Sequence, residues 1–209
     1  MMKDLILLGS TGSIGKSTLN VVSRNRKDFK IILLSTHKNA EKILKQALDF
    51  KVKKIVIFDK NIYHKNIKKF KNKNIQAYDS IENALKNYNN KAFLTISAIS
   101  GIEGLEPTLN IIKYSQNIAI ANKESIICGW NFIKKKLNAH NTKFIPLDSE
   151  HFSIWSLLKN ENKKNIKDIY LTASGGPFLN KKLNNIKNIH PRFALNHPNW
   201  KMGKKITID

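Results

Sequence analysis

The chain has 209 residues, 41% of them hydrophobic and 25% charged, and it carries a formal net charge of +22 at pH 7. This apolar content is enough for the core of one large domain or two small ones, which excludes wholesale disorder. No apolar run approaches the roughly 20 residues of a membrane span, and the early run Leu5–Leu8 is too short for a secretory core. A single cysteine, Cys128, excludes an intrachain disulfide and a thiolate zinc cluster. We therefore expect a cytoplasmic protein without a membrane segment.

The positive charge comes almost entirely from lysine, because only Arg24, Arg26 and Arg192 among the 37 basic residues are arginines. Proteins that bind phosphates in a fixed geometry favour arginine, whose planar guanidinium binds bidentately. The lysines are interleaved with asparagine and isoleucine, as over residues 61–74, which favours solvated faces. Diffuse attraction to polyanions and a specific nucleic-acid site remain as alternatives, but no nucleic-acid motif supports the second. We expect no specific nucleic-acid partner.

Short β-branched runs alternate with longer stretches of helical period up to about residue 146. The runs predict strands, in chain order, at Leu5–Leu8, Ile31–Leu34, Lys54–Phe58, Ile75–Tyr78, Phe93–Ile96, Asn117–Ala121 and Lys143–Ile145. The stretches between them predict helices, for instance at Lys16–Arg24, Ala40–Phe50, Ser80–Tyr88, Pro107–Tyr114 and Gly129–Asn138. This alternation predicts an α/β fold with a mostly parallel sheet and helices on both faces.

The pattern changes after Pro146, where a second α/β domain is predicted to begin. A helix is expected at His151–Lys159, and its apolar side is formed by Ile154, Trp155, Leu157 and Leu158. A strand at Ile169–Ala173 leads into Ser174-Gly175-Gly176-Pro177. Residues 197–203 are typical of a loop, and residues 206–209 of the start of a further strand. We therefore divide the chain into residues 1–147 and an unfinished second domain, residues 148–209.

A glycine-rich segment, Gly9-Ser10-Thr11-Gly12-Ser13-Ile14-Gly15, follows the first predicted strand and opens the first predicted helix. Its glycines recur at every third residue rather than as G-x-G-x-x-G. Glycines there let the backbone turn tightly and approach a pyrophosphate at the helix N-terminus, where free N–H groups and the helix dipole favour anions. The segment predicts a Rossmann-like dinucleotide site, and an ordinary glycine-rich turn is the alternative.

The residues after the second predicted strand bear on the choice of cofactor. In NAD-binding units an acidic residue about 20 positions after the glycines holds the ribose hydroxyls. Here that position is Ser35, followed by Thr36-His37-Lys38-Asn39, with no carboxylate. A cation and neutral donors suit a 2′-phosphate, so the segment favours NADP(H) over NAD(H).

Asp148-Ser149-Glu150-His151 directly follows the last strand of the predicted sheet. Carboxylates at i and i+2 point to one side if the backbone stays extended, and they offer hard oxygens to Mg²⁺ or Mn²⁺. The alternative is that Asp148 or Ser149 caps the next helix, with Glu150 favourable near its positive end. The residues alone leave both interpretations open.

Three further segments carry weaker signals. Lys123, in Asn122-Lys123-Glu124-Ser125, could meet a phosphate or carbonyl oxygen, or pair with Glu124. Ser174-Gly175-Gly176 could surround an anion with backbone N–H groups, or simply turn. His197 and Trp200, next to Pro198 and Gly203, suit a mobile lid with an aromatic cover.

Together these segments resemble the 1-deoxy-D-xylulose 5-phosphate reductoisomerase family. The matching pieces occur in the family's order and cover essentially the whole chain: Gly9–Gly15, Ala121–Ser125, Asp148–His151, Ser174–Phe178, His197–Trp200 and Met202-Gly203. The resemblance implies an enzyme that converts 1-deoxy-D-xylulose 5-phosphate to 2-C-methyl-D-erythritol 4-phosphate in the non-mevalonate route to isoprenoids, using NADPH and Mg²⁺ or Mn²⁺. Residues 1–147 would be the NADPH-binding domain, residues 148–209 the beginning of the catalytic domain, and the full-length enzyme a homodimer.

The resemblance also assigns residues. Those near NADPH would be Thr11, Gly12, Ser13, Ile14, Lys38, Asn39, Asn122, Glu124 and Gly203. Those that contact the phosphorylated sugar would be Lys123, Ser149, Glu150, Ser174 and His197, among which Lys123, Glu150 and His197 are the candidate catalytic residues. Asp148 and Glu150 would bind the metal, and Trp200 with Met202 would belong to a closing flap.

Two departures from the family pattern stand out. His37 occupies a position where the family commonly has glycine, beside the expected 2′-phosphate site. The family also continues beyond the equivalent of Asp209 with further substrate-phosphate ligands and a third metal carboxylate. We therefore expect a fragment of such an enzyme, with a truncated, inactive NADPH-binding module or a generic NADP-dependent dehydrogenase as the alternatives.

Overall fold

The computed structural model describes residues 2–172, 175–182 and 189–196. The chain divides into two compact units, residues 1–159 and 160–209. In the described part of the chain, no helix has the length and apolar character needed to cross a bilayer.

The first unit is built on a seven-stranded sheet in which every pair of neighbouring strands is parallel. Its spatial order is β4-β3-β2-β1-β5-β6-β7. The strands are β1 Lys3–Leu8, β2 Phe29–Thr36, β3 Lys54–Ile57, β4 Gln76–Tyr78, β5 Ala92–Ser97, β6 Ser115–Ile120 and β7 Lys143–Pro146. The central strands are apolar on both faces, as parallel strands covered by helices must be.

Seven α-helices are described: α1 Ser13–Arg24, α2 Ala40–Asp49, α3 Lys60–Lys71, α4 Ile81–Leu85, α5 Leu105–Ile111, α6 Lys123–Ala139 and α7 Ser149–Leu158. One core cluster joins α1, α2 and α3 to one face of the sheet through residues such as Leu19, Ile43 and Phe70. A second cluster joins α4, α5 and α6 to the other face through residues such as Leu85 and Ile133. The predicted α/β fold with helices on both faces is therefore confirmed.

The strand order reverses at β1, because β2 and the following strands extend to one side and β5, β6 and β7 to the other. The segments that leave β1 and β5 therefore diverge at the carboxyl edge of the sheet. Such a switch point is where open α/β sheets bind ligands. The glycine-rich segment leaves β1 at this point.

Helix α3 covers most of residues 61–74, the lysine-rich stretch for which the sequence predicts solvated faces. Its capping residue is Asp59, and Phe70 is fully buried beneath it. The lysines of α3 are exposed. Helix α6 starts at Lys123, six residues before the expected Gly129, so Lys123 and Glu124 lie in its first turn.

The second unit departs from expectation. Its described residues contain three short 3₁₀ segments, Lys163–Asn165, Gly176–Phe178 and Pro191–Phe193. The expected strand at Ile169–Ala173 is wrong for residues 169–172, which have no regular secondary structure; Ala173 lies outside the described residues. No described strand pairs with this segment, and its apolar side chains are exposed. A β-branched run cannot form a strand without a hydrogen-bonding neighbour.

Helix α7, in the first unit, confirms the helix expected at His151–Lys159. The four residues expected on its apolar side are not all buried. Ile154, Trp155 and Leu158 are half-buried, whereas Leu157 is 75% exposed. Leu157 therefore does not share the packed side.

Candidate functional site: the carboxyl edge of the sheet

The glycine-rich segment turns as tightly as its spacing predicts. Gly9 has φ +75°, and a Cβ there would lie 2.5 Å from the carbonyl oxygen of Ala98, in the segment after β5. A Cβ on Gly15 would collide with the backbone of Gly9 and Ser10. These two glycines let α1 start directly over the end of β1.

The N-terminus of α1 has no side-chain cap. Its N-cap residue is Gly12, and its first turn contains no acidic residue. By contrast, Asn39, Asp59, Asn122 and Asp148 cap α2, α3, α6 and α7 through their side-chain oxygens. Gly12, Ser13 and Ile14 are exposed, so the first N–H groups of α1 are accessible to an anion.

The end of β2 and helix α2 hold this loop in place. The N–H of Gly9 donates to Ser35 Oγ at 3.0 Å. Ser10 and Gln46 are buried and exchange two hydrogen bonds, Ser10 Oγ to Gln46 Oε1 at 2.7 Å and Gln46 Nε2 to the Ser10 carbonyl at 3.0 Å. Thr11 and Thr36 are joined through their hydroxyls at 2.9 Å. Ser35 stands where NAD-binding units have an acidic residue. Here it is buried and stabilises the loop, so it is not available to a ribose.

A lysine of α2 also contacts the glycine-rich loop. Lys42 Nζ donates to the carbonyl of Thr11 at 2.7 Å. The neighbouring Lys16 ammonium, together with burial, lowers the pKa of Lys42. Two ammonium groups thus lie side by side next to the uncapped end of α1, which makes this loop attractive to a phosphate.

Lys38 and Asn39 lie beside the loop, at the turn between β2 and α2. They line an open cleft of about 510 Å³ together with Ala40, Glu41, Ile62 and Asn66. Asn39 caps α2 by accepting the N–H of Lys42 at 3.0 Å. The His37 side chain is exposed.

A carboxylate that the sequence count did not find also lies here. Asp59, which follows β3, has Oδ2 3.7 Å from Lys38 Nζ. Its backbone N–H donates to the carbonyl of His37 at 3.1 Å. The acid therefore comes from the strand next to β2 and not from the end of β2 itself.

Asn122, Lys123 and Glu124 lie at the same edge of the sheet, at the start of α6. Asn122 is buried; its Oδ1 accepts the N–H of Ser125, and its Nδ2 donates to the carbonyls of Ile99 and Gly101. Asn122 thereby ties the segment after β5 to α6. Lys123 is exposed and Glu124 is half-buried.

Asp148 follows β7 and caps α7, as one of the two interpretations predicted. Its Oδ1 accepts the N–H of His151 at 2.9 Å and lies 2.5 Å from His151 Nδ1. Burial raises the pKa of Asp148, but the hydrogen bonds from His151 outweigh it, so the pKa lies below its usual value. Both contacts use Oδ1 and not Oδ2.

Glu150 does not extend alongside Asp148 as the i, i+2 argument required. Residues 149–158 are helical, and Glu150 Oε2 accepts a hydrogen bond from Ser149 Oγ at 3.0 Å. Within the described residues, no cluster of three or more His, Cys, Asp or Glu side chains is arranged to hold a metal ion. Asp148 and Glu150 are hard oxygen donors that fit Mg²⁺ or Mn²⁺, but they supply only part of an octahedral shell.

Four groups of expected residues meet at one edge of the sheet: the glycine loop, Lys38-Asn39, Asn122–Glu124 and Asp148–Glu150. Ser174, His197, Trp200, Met202 and Gly203 lie outside the described residues. Sequence reasoning missed Lys42, Gln46 and Asp59. For Lys42 and Gln46 a signal was present, because residues 39, 42 and 46 share one side of a helix capped by Asn39.

Comparison with known families identifies the family to which the chain belongs. Residues 5–129 match the family model described as 1-deoxy-D-xylulose 5-phosphate reductoisomerase. Residues 144–209 match the model of that family's C-terminal domain. The chain belongs to the 1-deoxy-D-xylulose 5-phosphate reductoisomerase family.

Its relatives in this family include enzymes from distant bacteria. The chain is 52% identical over 210 residues to the reductoisomerase of Pelagibacter ubique and 41% identical over 209 residues to that of Thermodesulfovibrio yellowstonii. All of this chain is covered in both cases, but only 54% of each relative. The chain therefore spans about half the length of these reductoisomerases.

Solved reductoisomerase structures share the fold. The Zymomonas mobilis enzyme in complex with NADPH aligns with a TM-score of 0.83 and 30% identity over 93% of this chain and 51% of that one. A reductoisomerase in complex with NADPH, fosmidomycin and magnesium aligns with a TM-score of 0.82 and 30% identity over 100% of this chain and 54% of that one. The resemblance first noted from motifs is thus confirmed at the level of family and fold.

Proposed function

We propose that the chain is the cofactor-binding and metal-binding part of a 1-deoxy-D-xylulose 5-phosphate reductoisomerase. In that enzyme it takes part in converting 1-deoxy-D-xylulose 5-phosphate to 2-C-methyl-D-erythritol 4-phosphate in non-mevalonate isoprenoid biosynthesis. The carrying observation is the uncapped N-terminus of α1, set over β1 at the switch point of the sheet. The NADPH and magnesium in the related structures support the same assignment.

The cofactor would be held by four segments. The N–H groups of Ser13 and Ile14 would bind the pyrophosphate, since they lie in the uncapped first turn of α1. Thr11 and Gly12 would lie against it, although the Gly12 N–H itself donates to the Gly9 carbonyl at 3.1 Å. Lys38 and Asn39 would bind the 2′-phosphate from the rim of the cleft. Asn122, Glu124 and Gly203 would lie closer to the nicotinamide end.

The substrate would be held beside the cofactor by Lys123, Ser149, Glu150, Ser174 and His197, with Trp200 and Met202 closing over it to exclude water. Asp148 and Glu150 would hold the divalent cation, with Glu150 Oε2 also accepting the hydrogen bond from Ser149. When bound, NADPH supplies a hydride and the cation stabilises negative charge on the substrate oxygens. Lys123, Glu150 and His197 are the groups proposed to act on the substrate itself, by binding its oxygens or moving protons.

The remaining assignments follow from the family. We propose a cytoplasmic enzyme that forms a homodimer when complete and has no specific nucleic-acid partner. A cofactor-binding module without turnover is the second candidate. It is favoured because the described residues bring only two acidic ligands to the expected metal site.

The assignment of α1 is tested by changing Gly12 to aspartate. The backbone of Gly12 is extended, and a Cβ there would meet its nearest atom at 3.4 Å, so the substitution fits. The new carboxylate should cap α1 and exclude the pyrophosphate, so that NADPH binding weakens by about tenfold or more without a loss of Tm. NADPH fluorescence titration measures the affinity.

The matched control is Asn20→Asp, which adds the same charge to an exposed position further along α1. It should bind NADPH as the wild type does. Wild-type affinity in Gly12→Asp would place the cofactor elsewhere and contradict the proposal.

A further inference from the structure

The ion pair between Lys38 and Asp59 joins the residue expected to select NADPH to a carboxylate. The Lys38 Nζ and Asp59 Oδ2 atoms lie 3.7 Å apart. The Lys38 side chain is 66% exposed, whereas that of Asp59 is 20% exposed. The two partners therefore differ in exposure, with the lysine largely in solvent and the carboxylate mostly covered.

Asp59 is fixed by two further contacts. Its Oδ1 accepts the N–H of Ile62 at 2.9 Å, which caps α3. Its own N–H donates to the carbonyl of His37. The hydrogen bond from Ile62 lowers the pKa of Asp59 against the opposing effect of burial, and the charge of Lys38 lowers it further. Asp59 is thus a fixed negative charge next to the part of the proposed cofactor site that would bind the adenosine ribose and its 2′-phosphate.

We propose that Asp59 is a specificity-determining residue that limits the preference of this site for a 2′-phosphate over a 2′-hydroxyl. The inference rests on the proposed NADPH function and deepens it. While Lys38 stays paired with Asp59, a phosphate that accepts a hydrogen bond from Lys38 Nζ lies within roughly 6–7 Å of the Asp59 carboxylate, because the 3.7 Å ion-pair distance and one hydrogen-bond length set the upper limit. At that separation a carboxylate and a phosphate dianion repel each other.

The alternative role, in which Asp59 presents Lys38 to the phosphate, is the weaker one physically. An ion pair with a largely exposed lysine contributes little, so little orientation is lost when it breaks. NADH carries a hydroxyl in place of the phosphate, and a hydroxyl can donate a hydrogen bond to a carboxylate. Asp59 therefore acts against NADPH and is neutral or favourable toward NADH.

The test replaces Asp59 with asparagine, which removes the charge and keeps a good N-cap for α3. Calorimetric titrations of the 209-residue chain with NADPH and with NADH give the ratio of the two Kd values. We expect Asp59→Asn to raise the preference for NADPH by about threefold to tenfold at low ionic strength, mainly through tighter NADPH binding. The increase should shrink at about 0.5 M salt, where such repulsion is screened.

The matched control is Asp28→Asn, which makes the same change of charge at an exposed position before β2, at the opposite edge of the sheet. It should leave the ratio unchanged. Adenosine 2′,5′-bisphosphate and ADP serve as fragment probes, and only binding of the first should tighten in Asp59→Asn. Asp59→Ser, which also retains a capping oxygen, should change the ratio in the same direction.

An unchanged or lowered preference in both folded variants, with the wild type still preferring NADPH, would overturn this inference alone. A lowered preference would mean that Asp59 presents Lys38 to the phosphate. A wild-type chain that binds neither dinucleotide would reject the proposed function and this inference with it. Circular dichroism establishes that each variant is folded.

Discussion

At the scale of single residues, Lys38 is the side chain on which the proposed cofactor preference depends. Replacing it with alanine removes the ammonium expected to bind the 2′-phosphate. We expect NADPH affinity to fall by about 1–3 kcal/mol and NADH affinity to change by less than about twofold. The loss should lie near the lower end of that range, because the side chain is 66% exposed.

Calorimetry with both dinucleotides measures this change, and Lys27→Ala, an exposed lysine in the turn before β2, is the control. If NADPH and NADH weaken equally in Lys38→Ala, the lysine contributes general attraction and does not recognise the 2′-phosphate.

The sequence predicted Lys38 but not its surroundings, and the reason is geometric. Counting 20 residues from Gly15 ends at Ser35, so it can find only side chains at the end of β2. Asp59 comes from β3, a parallel neighbour whose end lies next to Lys38 only once the sheet has formed. Similarly, the sequence could not decide whether Asp148 caps α7 or binds a metal. Both roles need a carboxylate oxygen at the same position.

At the scale of elements, the contact of α1 with the end of β1 depends on Gly15. A methyl group there would collide with the carbonyl oxygen of Gly9. We expect Gly15→Ala to lower the free energy of unfolding by about 1–3 kcal/mol, since backbone and not a flexible side chain must move. Urea denaturation measures the loss.

Gly12→Ser, three residues earlier, is the control for Gly15→Ala. Its Cβ has room, and serine is a good N-cap, so stability should be equal to or above that of the wild type. Equal stability of Gly15→Ala and the wild type would show that the loop can open without cost, against the packing described here.

A hydrogen bond between distant elements gives a pH-dependent prediction. The Tyr88 hydroxyl donates to Asp4 Oδ2 at 3.0 Å, joining the segment after α4 to β1. Burial and this bond raise the pKa of Tyr88 to about 12 from 10.0. Because the folded state holds the proton more tightly, the stabilisation is complete below pH 10 and is lost as the pH rises toward about 12.

We expect Tyr88→Phe to lower the free energy of unfolding by about 0.5–1.5 kcal/mol at pH 8. The difference from the wild type should narrow above pH 10. Urea denaturation across this range measures it, and Tyr170→Phe, at a side chain 80% exposed, is the control. A constant difference up to pH 12 would mean that the Tyr88 proton is not held by Asp4.

Most strands and helices could be predicted from the sequence. Buried parallel strands are short β-branched runs, and along the chain they alternate with amphipathic helices. Helix α3 is rich in lysines, which are exposed, whereas Phe70 is buried and Ile62 packs against the core. Two apolar contacts among so many lysines give a weak helical period in the sequence. The strand expected at Ile169–Ala173, which is wrong for residues 169–172, has the same composition as a real one. Composition cannot supply the pairing partner on which a strand depends.

At the scale of the whole molecule, an assay of NADPH oxidation tests whether the 209-residue chain catalyses the reductoisomerase reaction by itself. It spans 54% of the Pelagibacter ubique reductoisomerase, and its described residues offer only Asp148 and Glu150, not a cluster of three ligands, at the expected metal site. Such a site binds Mg²⁺ or Mn²⁺ weakly and orients a substrate poorly. We expect no NADPH oxidation by the 209-residue chain with 1-deoxy-D-xylulose 5-phosphate and Mn²⁺.

The positive control for this assay is the Zymomonas mobilis reductoisomerase, assayed in parallel. Substantial turnover by the short chain, abolished in Glu150→Gln, would show that two carboxylates and the residues present are sufficient. The account of the metal site would then be wrong.

The most direct measurement is calorimetric titration of the purified chain with NADPH and with NADH under identical conditions. With the pyrophosphate proposed to bind at the uncapped end of α1 and the 2′-phosphate at Lys38 and Asn39, we expect NADPH to bind at least about tenfold more tightly than NADH. Equal affinities for the two dinucleotides, or no binding of either, would contradict this expectation.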